Sequence, residues 1–140
     1  MTLMEFELFC DLESLDLARS GSIWGDVWIE ISGSPFPEAN WNDMPVAFLA
    51  ELIDALAFAR QAAGRSTRVR FFDGPFWIDL VGRGDDSVSV SANSHGAGEE
   101  ATVSAQDMAR SLAAVREKLV RACLERGWGE QMDVRRLQNR

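Results

Sequence analysis

Few side chains in this sequence are able to do covalent or acid–base chemistry. The 140 residues include one histidine, His95, two cysteines, Cys10 and Cys123, and no tyrosine. The one lysine, Lys118, stands among Arg116, Glu117 and Arg121 and reads as part of a solvated helix face. A Ser-His-Asp or Cys-His hydrolase would have to use His95. That residue lies in Asn93-Ser94-His95-Gly96-Ala97-Gly98, with no G-x-S-x-G elbow or other nucleophile motif to accompany it, and is expected to be a loop histidine. Each cysteine sits in an apolar pattern, which points to two buried small hydrophobes. Without a C-x-x-C pair there is no framework for a structural zinc. The glycine pairs Gly82-Arg83-Gly84 and Gly96-Ala97-Gly98 are followed neither by G-K-[ST] nor by a dinucleotide fingerprint. No cofactor and no metal are therefore expected, and Arg83-Gly84-Asp85 reads as a turn. What remains is carboxylates, of which Asp26, Glu30 and Asp79 form the only plausible catalytic cluster.

Carboxylates are abundant. The chain has 22 acids against 14 lysines and arginines, a net charge of −8. They are also unevenly placed: residues 1–59 hold eleven acids and one base, Arg19, for −10, whereas residues 60–140 sum to +2. An acidic chain repels phosphate, so nucleic acid is not the expected partner. A mass of 15.5 kDa suits one domain. Apolar residues at 46% and charged residues at 26% exclude a disordered chain. No apolar run approaches the roughly 20 residues that span a bilayer, and acids stand where a signal peptide carries bases. No membrane association and a cytoplasmic location are expected.

The elements that must position these side chains follow from periodicity. Residues 3–10 alternate, with Met4, Phe6, Leu8 and Cys10 opposite Glu5 and Glu7, and predict a strand; residues 11–21 read as a connection. A second strand is predicted from Ile23 to Ser32. Its apolar face is Ile23, Val27, Ile29 and Ile31, with Gly25 among them, and its other face is Trp24, Asp26, Trp28 and Glu30. Two tryptophans alternating with two acids are either covered by another element or form an aromatic–acidic strip for a partner. After an extended segment around Phe36, Asn42 or Asp43 is placed to cap a helix over 45–63, with Pro45 in its first turn and Leu49, Ile53 and Leu56 in the core. Three strands are predicted at 67–72, 76–81 and 87–92, then a Gly-rich loop at 93–103. Ser104 is placed to cap a helix over 105–126, and the last residues, from about 129 to 140, are expected to fray. The expected fold is a single α+β domain, an antiparallel sheet of about five strands with two helices in the order β-β-α-β-β-β-α.

The segment Phe36-Pro37-Glu38-Ala39-Asn40-Trp41-Asn42-Asp43-Met44-Pro45-Val46, following an aromatic-rich strand, resembles small bacterial immunity proteins of polymorphic-toxin systems over roughly residues 23–63. The resemblance implies a single-domain, cytoplasmic, non-enzymatic protein that binds and neutralises a cognate protein toxin, basic where the toxin is a nuclease. Family binding residues do not transfer by motif. The partner-binding residues expected from the chemistry of this chain are Trp24, Asp26, Trp28, Glu30, Glu38 and Trp41. Trp41 can equally plug the end of the sheet while Asp43 caps the helix. Two other readings stay open: a small carboxylate enzyme, and a dimeric accessory domain, a homodimer whose tryptophan face is the self-interface.

Overall fold

The computed structural model describes residues 3–95 and 98–140. Strand β1 (Phe6–Leu17) pairs antiparallel with β2 (Ile23–Ile31). In β2 the predicted alternation holds residue by residue, with Ile23, Gly25, Val27, Ile29 and Ile31 buried. β1, by contrast, runs well past the connection expected at residue 11. The register shifts between Asp11 and Asp16, and the extra residues break the period-2 pattern on which the reading relied. Leu15 drops from this bulge into the core beside Gly25, where a Cβ would come within 2.9 Å of its methyl. Gly25 is thus the space that Leu15 fills. Two short strands, β3 (Ser34–Phe36) and β4 (Asn42–Asp43), pair along the other edge of β2 and complete a four-stranded first sheet.

Helix α1 (Pro45–Gln61) is apolar nearly all round and lies between elements on several sides: β2, β5 and β6 as well as both later helices. Leu49 and Leu56 are buried as expected, and Ile53 is partly buried against the same core. The expected side-chain cap is absent. Met44 occupies the N-cap position without a capping hydrogen bond, and the Asp43 carboxylate is used elsewhere.

A second sheet follows as an antiparallel meander of β5 (Ser66–Arg70), β6 (Trp77–Gly82), β7 (Ser87–Asn93) and β8 (Glu99–Ser104). Its inner face is Val69, Ile78, Leu80, Val88, Val90, Ala101 and Val103. β8 falls where a Gly-rich loop was expected. Only Ala101 and Val103 carry its buried face, too short an alternation to read as a strand, while Gly96 and Ala97 lie outside the described residues. Helix α1 presses so closely on β6 that a Cβ at Gly82 would meet the Ala59 carbonyl oxygen at 1.8 Å. The outer serines Ser87 and Ser89 are buried rather than solvated, Ser89 donating to Glu100 at 2.7 Å.

Ser104 caps α2 (Ala105–Glu125) as predicted, accepting from the Asp107 N–H at 3.2 Å. Met108, Leu112, Leu119 and Cys123 are the buried stripe, and Glu117 and Arg121 form the expected i, i+4 pair. The C-terminal stretch does not fray. It forms α3 (Met132–Gln138), with Val134 and Leu137 fully buried against α1 and α2. Arg116 of α2 donates to the Leu137 and Gln138 carbonyls at 3.0 and 2.6 Å and so answers the open C-terminus of α3. Two apolar residues on a short helix leave little periodicity to detect, which is why the segment read as a tail.

The α+β class is as predicted, but among the described residues the strands divide into two four-stranded sheets rather than one of five, and there are three helices rather than two. The Met4 N–H donates to the Thr102 carbonyl at 2.8 Å and joins the start of the chain to β8. No described helix is long and apolar enough to cross a membrane. If α3 is an integral part of the core, Leu137→Ala costs about 2–5 kcal/mol in urea unfolding. A loss below about 0.5 kcal/mol, the size of a surface substitution, would show that α3 contributes nothing to the core.

Candidate functional site

The side chains of β1 and β2 that turn away from the helices form a continuous face. Cross-strand register sets Glu7 opposite Glu30, Phe9 opposite Trp28, Asp11 opposite Asp26 and Asp16 opposite Trp24. Phe9 and Trp28 stack, with ring centroids 5.4 Å apart and planes 11° from parallel. The Trp28 indole N–H donates to Glu30 at 3.2 Å, and the Asn42 amide reaches Asp26 at 3.5 Å. Helices α1 and α2 pack on the buried alternate residues, so among the described residues this face carries no helix. Among the described residues no element covers Trp24 and Trp28; both are half-buried among their strand neighbours.

Two carboxylate pairs placed directly opposite one another are unfavourable in any hairpin. Among the described residues no cation offsets them. Every ion pair among the described residues uses an acid from Glu51 onward: Glu51, Asp54, Asp79, Asp86, Asp107, Glu117 or Glu130. Arg60, Arg68, Arg110, Arg121, Arg135, Arg136 and Arg140 are thereby held by acids outside this face. Glu7, Asp11, Asp26 and Glu30 have no described cationic partner, and these four acids flank an aromatic stack.

The six residues expected to bind a partner do not all meet. Trp24, Asp26, Trp28 and Glu30 share the open face, and Glu38 is exposed on the loop between β3 and β4. Trp41 belongs elsewhere. Its indole N–H donates to Asp43 at 3.0 Å, and its ring meets Phe76 edge-on at 5.1 Å, within an aromatic group that includes Phe36, Phe71 and Phe48. This is the structural plug that was the alternative for Trp41. Asp43 is fully buried, and its two oxygens accept from the Trp41 indole and from the backbone N–H groups of Met44 (2.7 Å), Phe72 (3.1 Å) and Asp73 (3.1 Å). Helix capping was the expected use of this carboxylate; joining β4 to the β5–β6 turn is the actual one.

Sequence reasoning did not nominate Phe9 or Asp11, or Glu7 as more than a solvent-facing residue. Their own strand pattern shows which way Glu7 points, but only the pairing register reveals that each faces its like on β2. The carboxylates of the enzyme reading are also dispersed. Asp26 and Glu30 lie on the first sheet, while Asp79 lies on the second, held by Arg68 through two hydrogen bonds of 2.8 and 3.2 Å. His95 is exposed beside the Trp77 ring, at 6.1 Å between centroids. Burial, with smaller contributions from nearby Cys123, Asp11 and Asp26, pushes the Cys10 thiol from 9.0 up to about 12; burial likewise raises Cys123 to about 11. Neither is a thiolate at neutral pH, so neither is an activated nucleophile.

Comparison of the chain with protein-family models, with curated proteins and with solved structures finds no match.

Two outcomes are expected. Asp43→Asn keeps the size but offers one acceptor oxygen and two new donors to four donors, so unfolding free energy falls by about 2–4 kcal/mol and the near-ultraviolet signal of Trp41 changes. A loss under about 1 kcal/mol would mean that the carboxylate's charge is not needed there. The second concerns the thiols, whose protonation favours the fold. Stability is therefore full below the unfolded-state value near 9 and falls as pH rises from there toward the folded-state values of about 11 and 12, because the unfolded chain ionises first. Cys123 is buried as expected, whereas Cys10 is only partly buried; native protein at pH 8 should react with an aromatic disulfide reagent more slowly than denatured protein, and equal rates would contradict the burial of Cys123.

Proposed function

We propose that this chain is a non-enzymatic binding protein that engages a basic protein partner through the open face of its first sheet. One observation carries the reading: like-charged carboxylates stand in register around a stacked Phe9–Trp28 pair, with no described cation to neutralise them. A fold maintains such an arrangement against its own stability when an outside cation completes it. Aromatic residues supply buried contact area, and the acids speed and orient the encounter. Glu7, Phe9, Asp11, Trp24, Asp26, Trp28 and Glu30 are the contact residues of this reading, with Glu38 at the rim and Trp41 in a supporting role. The resemblance of residues 23–63 to immunity proteins supports a toxin as the partner and the bacterial cytoplasm as the place of action.

The test combines stability with association. Asp11→Asn with Asp26→Asn removes one opposed pair, and should raise unfolding free energy by a few tenths of a kcal/mol, at most about 1. The same double variant should associate several-fold more slowly with a basic candidate partner, sought among the products of neighbouring genes, measured by stopped flow at low salt, and the difference should shrink at about 0.5 M salt. Trp28→Ala should raise the dissociation constant by roughly thirtyfold, about 2 kcal/mol. If the charge variant is destabilised and its association rate is unchanged, this face is not the binding surface.

A further inference from the structure

The edges of the two sheets are not treated alike. Along β1, the Leu8 N–H is taken by Ser111 of α2 at 3.2 Å, and the Leu12 carbonyl accepts from Arg126 at 2.8 Å. On β8, the Thr102 carbonyl accepts from Met4. β5 has no such cover. The Phe71 N–H donates to Phe76 across the turn, and antiparallel alternation then directs the backbone groups of Val69 and Thr67 toward β6. Those of Ser66, Arg68 and Arg70 point outward, and among the described residues they meet no partner.

Beside this edge runs a groove of about 330 Å³. Thr67, Arg68 and Val69 form one wall, and Glu51, Asp54, Ala55 and Phe58 of α1 form the other, with Arg136 at the end. Positions 51, 54, 55 and 58 lie on one face of the helix, so α1 extends parallel to the groove as a second rail. Phe58, a large apolar side chain on a helix whose other large apolar residues are buried or partly buried, is 42% exposed here. We propose that this groove is a strand-addition site. An extended segment of a partner protein docks between β5 and α1, bonds its main chain to the outward N–H and C=O groups of Ser66, Arg68 and Arg70, and sets an uncharged apolar side chain on Phe58.

Charge selects that occupant. Arg136 lies 3.7 Å from Glu51 and 3.4 Å from Asp54, Asp54 also holds Arg140 at 2.7 Å, and Arg68 is bound by Asp79. Each charged side chain that lines the groove is already answered, and Arg70 lies over the Trp77 ring at 5.6 Å on the other face of β5; a lysine or glutamate on the groove side of the incoming strand would therefore enter unpaired, whereas an aliphatic or aromatic residue covers the exposed ring. A second copy of the chain fits less well. Antiparallel pairing of two β5 strands about Arg68 or Val69 sets arginine opposite arginine. The site rests on different residues from the acidic face and does not depend on it.

The experiment pans the full-length chain against a phage library of random linear peptides, and follows the best binder by amide hydrogen exchange and titration. Uncharged sequences with alternating apolar residues should be enriched, and their binding should protect the amides of Ser66, Arg68 and Arg70. Ser66→Pro removes an N–H that the fold does not use and is tolerated on an edge strand. It should weaken binding about tenfold, the effect of one lost hydrogen bond. Phe58→Ala should weaken it comparably, whereas Asp26→Asn should leave it unchanged. Enrichment of no peptide, protection confined to other strands, or unaltered binding by both Ser66→Pro and Phe58→Ala would overturn the proposal. Concentration-dependent dimerisation that protects the same three amides would overturn it in favour of a second copy.

Discussion

A single buried carboxylate holds this fold together. Asp43 is taken completely out of water without a cationic partner, a state that is costly unless its lone pairs are answered. Four N–H groups answer them: one indole and three backbone amides. Hydrogen bonds to an ionised acceptor are the stronger kind, and here they come from three places in the chain. Met44 starts α1, Trp41 lies just before β4, and Phe72 and Asp73 form the turn between β5 and β6. One side chain therefore fixes the end of the first sheet, the start of the central helix and the first turn of the second sheet relative to one another. Pro45, which has no N–H to satisfy, follows directly and lets the helix begin without a conventional cap. The aromatic group of Phe36, Trp41, Phe71 and Phe76 packs around this junction, so the apolar contacts there depend on the polar one.

With that junction fixed, the helices occupy one side of each sheet and leave two open faces of opposite character. On the second sheet Arg68 bridges to Asp79 and lies over the Trp77 ring at 4.9 Å. On the first sheet the corresponding positions carry carboxylates set against carboxylates. The same hairpin geometry thus gives a neutral surface in one sheet and an uncompensated field in the other. The difference comes from which residue types the register brings opposite one another. That contrast within one molecule is what makes the acidic face a candidate for partner binding rather than for solubility alone, since dispersed acids would serve solubility without being paired in register.

The sequence by itself determined the elements whose apolar period is long and uninterrupted. β2, α1 and α2 appear within a few residues of their predicted bounds, Ser104 caps the helix it was expected to cap, and Leu49 and Leu56 lie in the core. Those features depend on neighbours in the chain, so the chain displays them. Where the local pattern was interrupted or short, the reading failed for a physical reason. The β1 bulge breaks alternation to place Leu15 over Gly25, β8 offers two buried residues, and α3 is held by Val134 and Leu137, by Arg116 of α2 and by the α1 carboxylates that bind Arg136, rather than by its own periodicity.

The candidate site shows the same division. Trp24, Asp26, Trp28 and Glu30 could be nominated from one strand, because residues two apart share a face. That Glu7, Phe9 and Asp11 stand opposite them is a matter of register, set by a turn and a bulge whose geometry no local pattern encodes. Trp41 and Asp43 look like surface and cap residues from their immediate surroundings, and become an internal junction only when residues 72 and 73, about thirty positions later, fold back onto them. Composition placed the negative charge in the first 59 residues. Only the tertiary structure decided that Arg60, Arg68, Arg136 and Arg140 would be held by acids away from the first sheet's open face, because ion pairing depends on distances of a few ångströms that sequence separation does not fix.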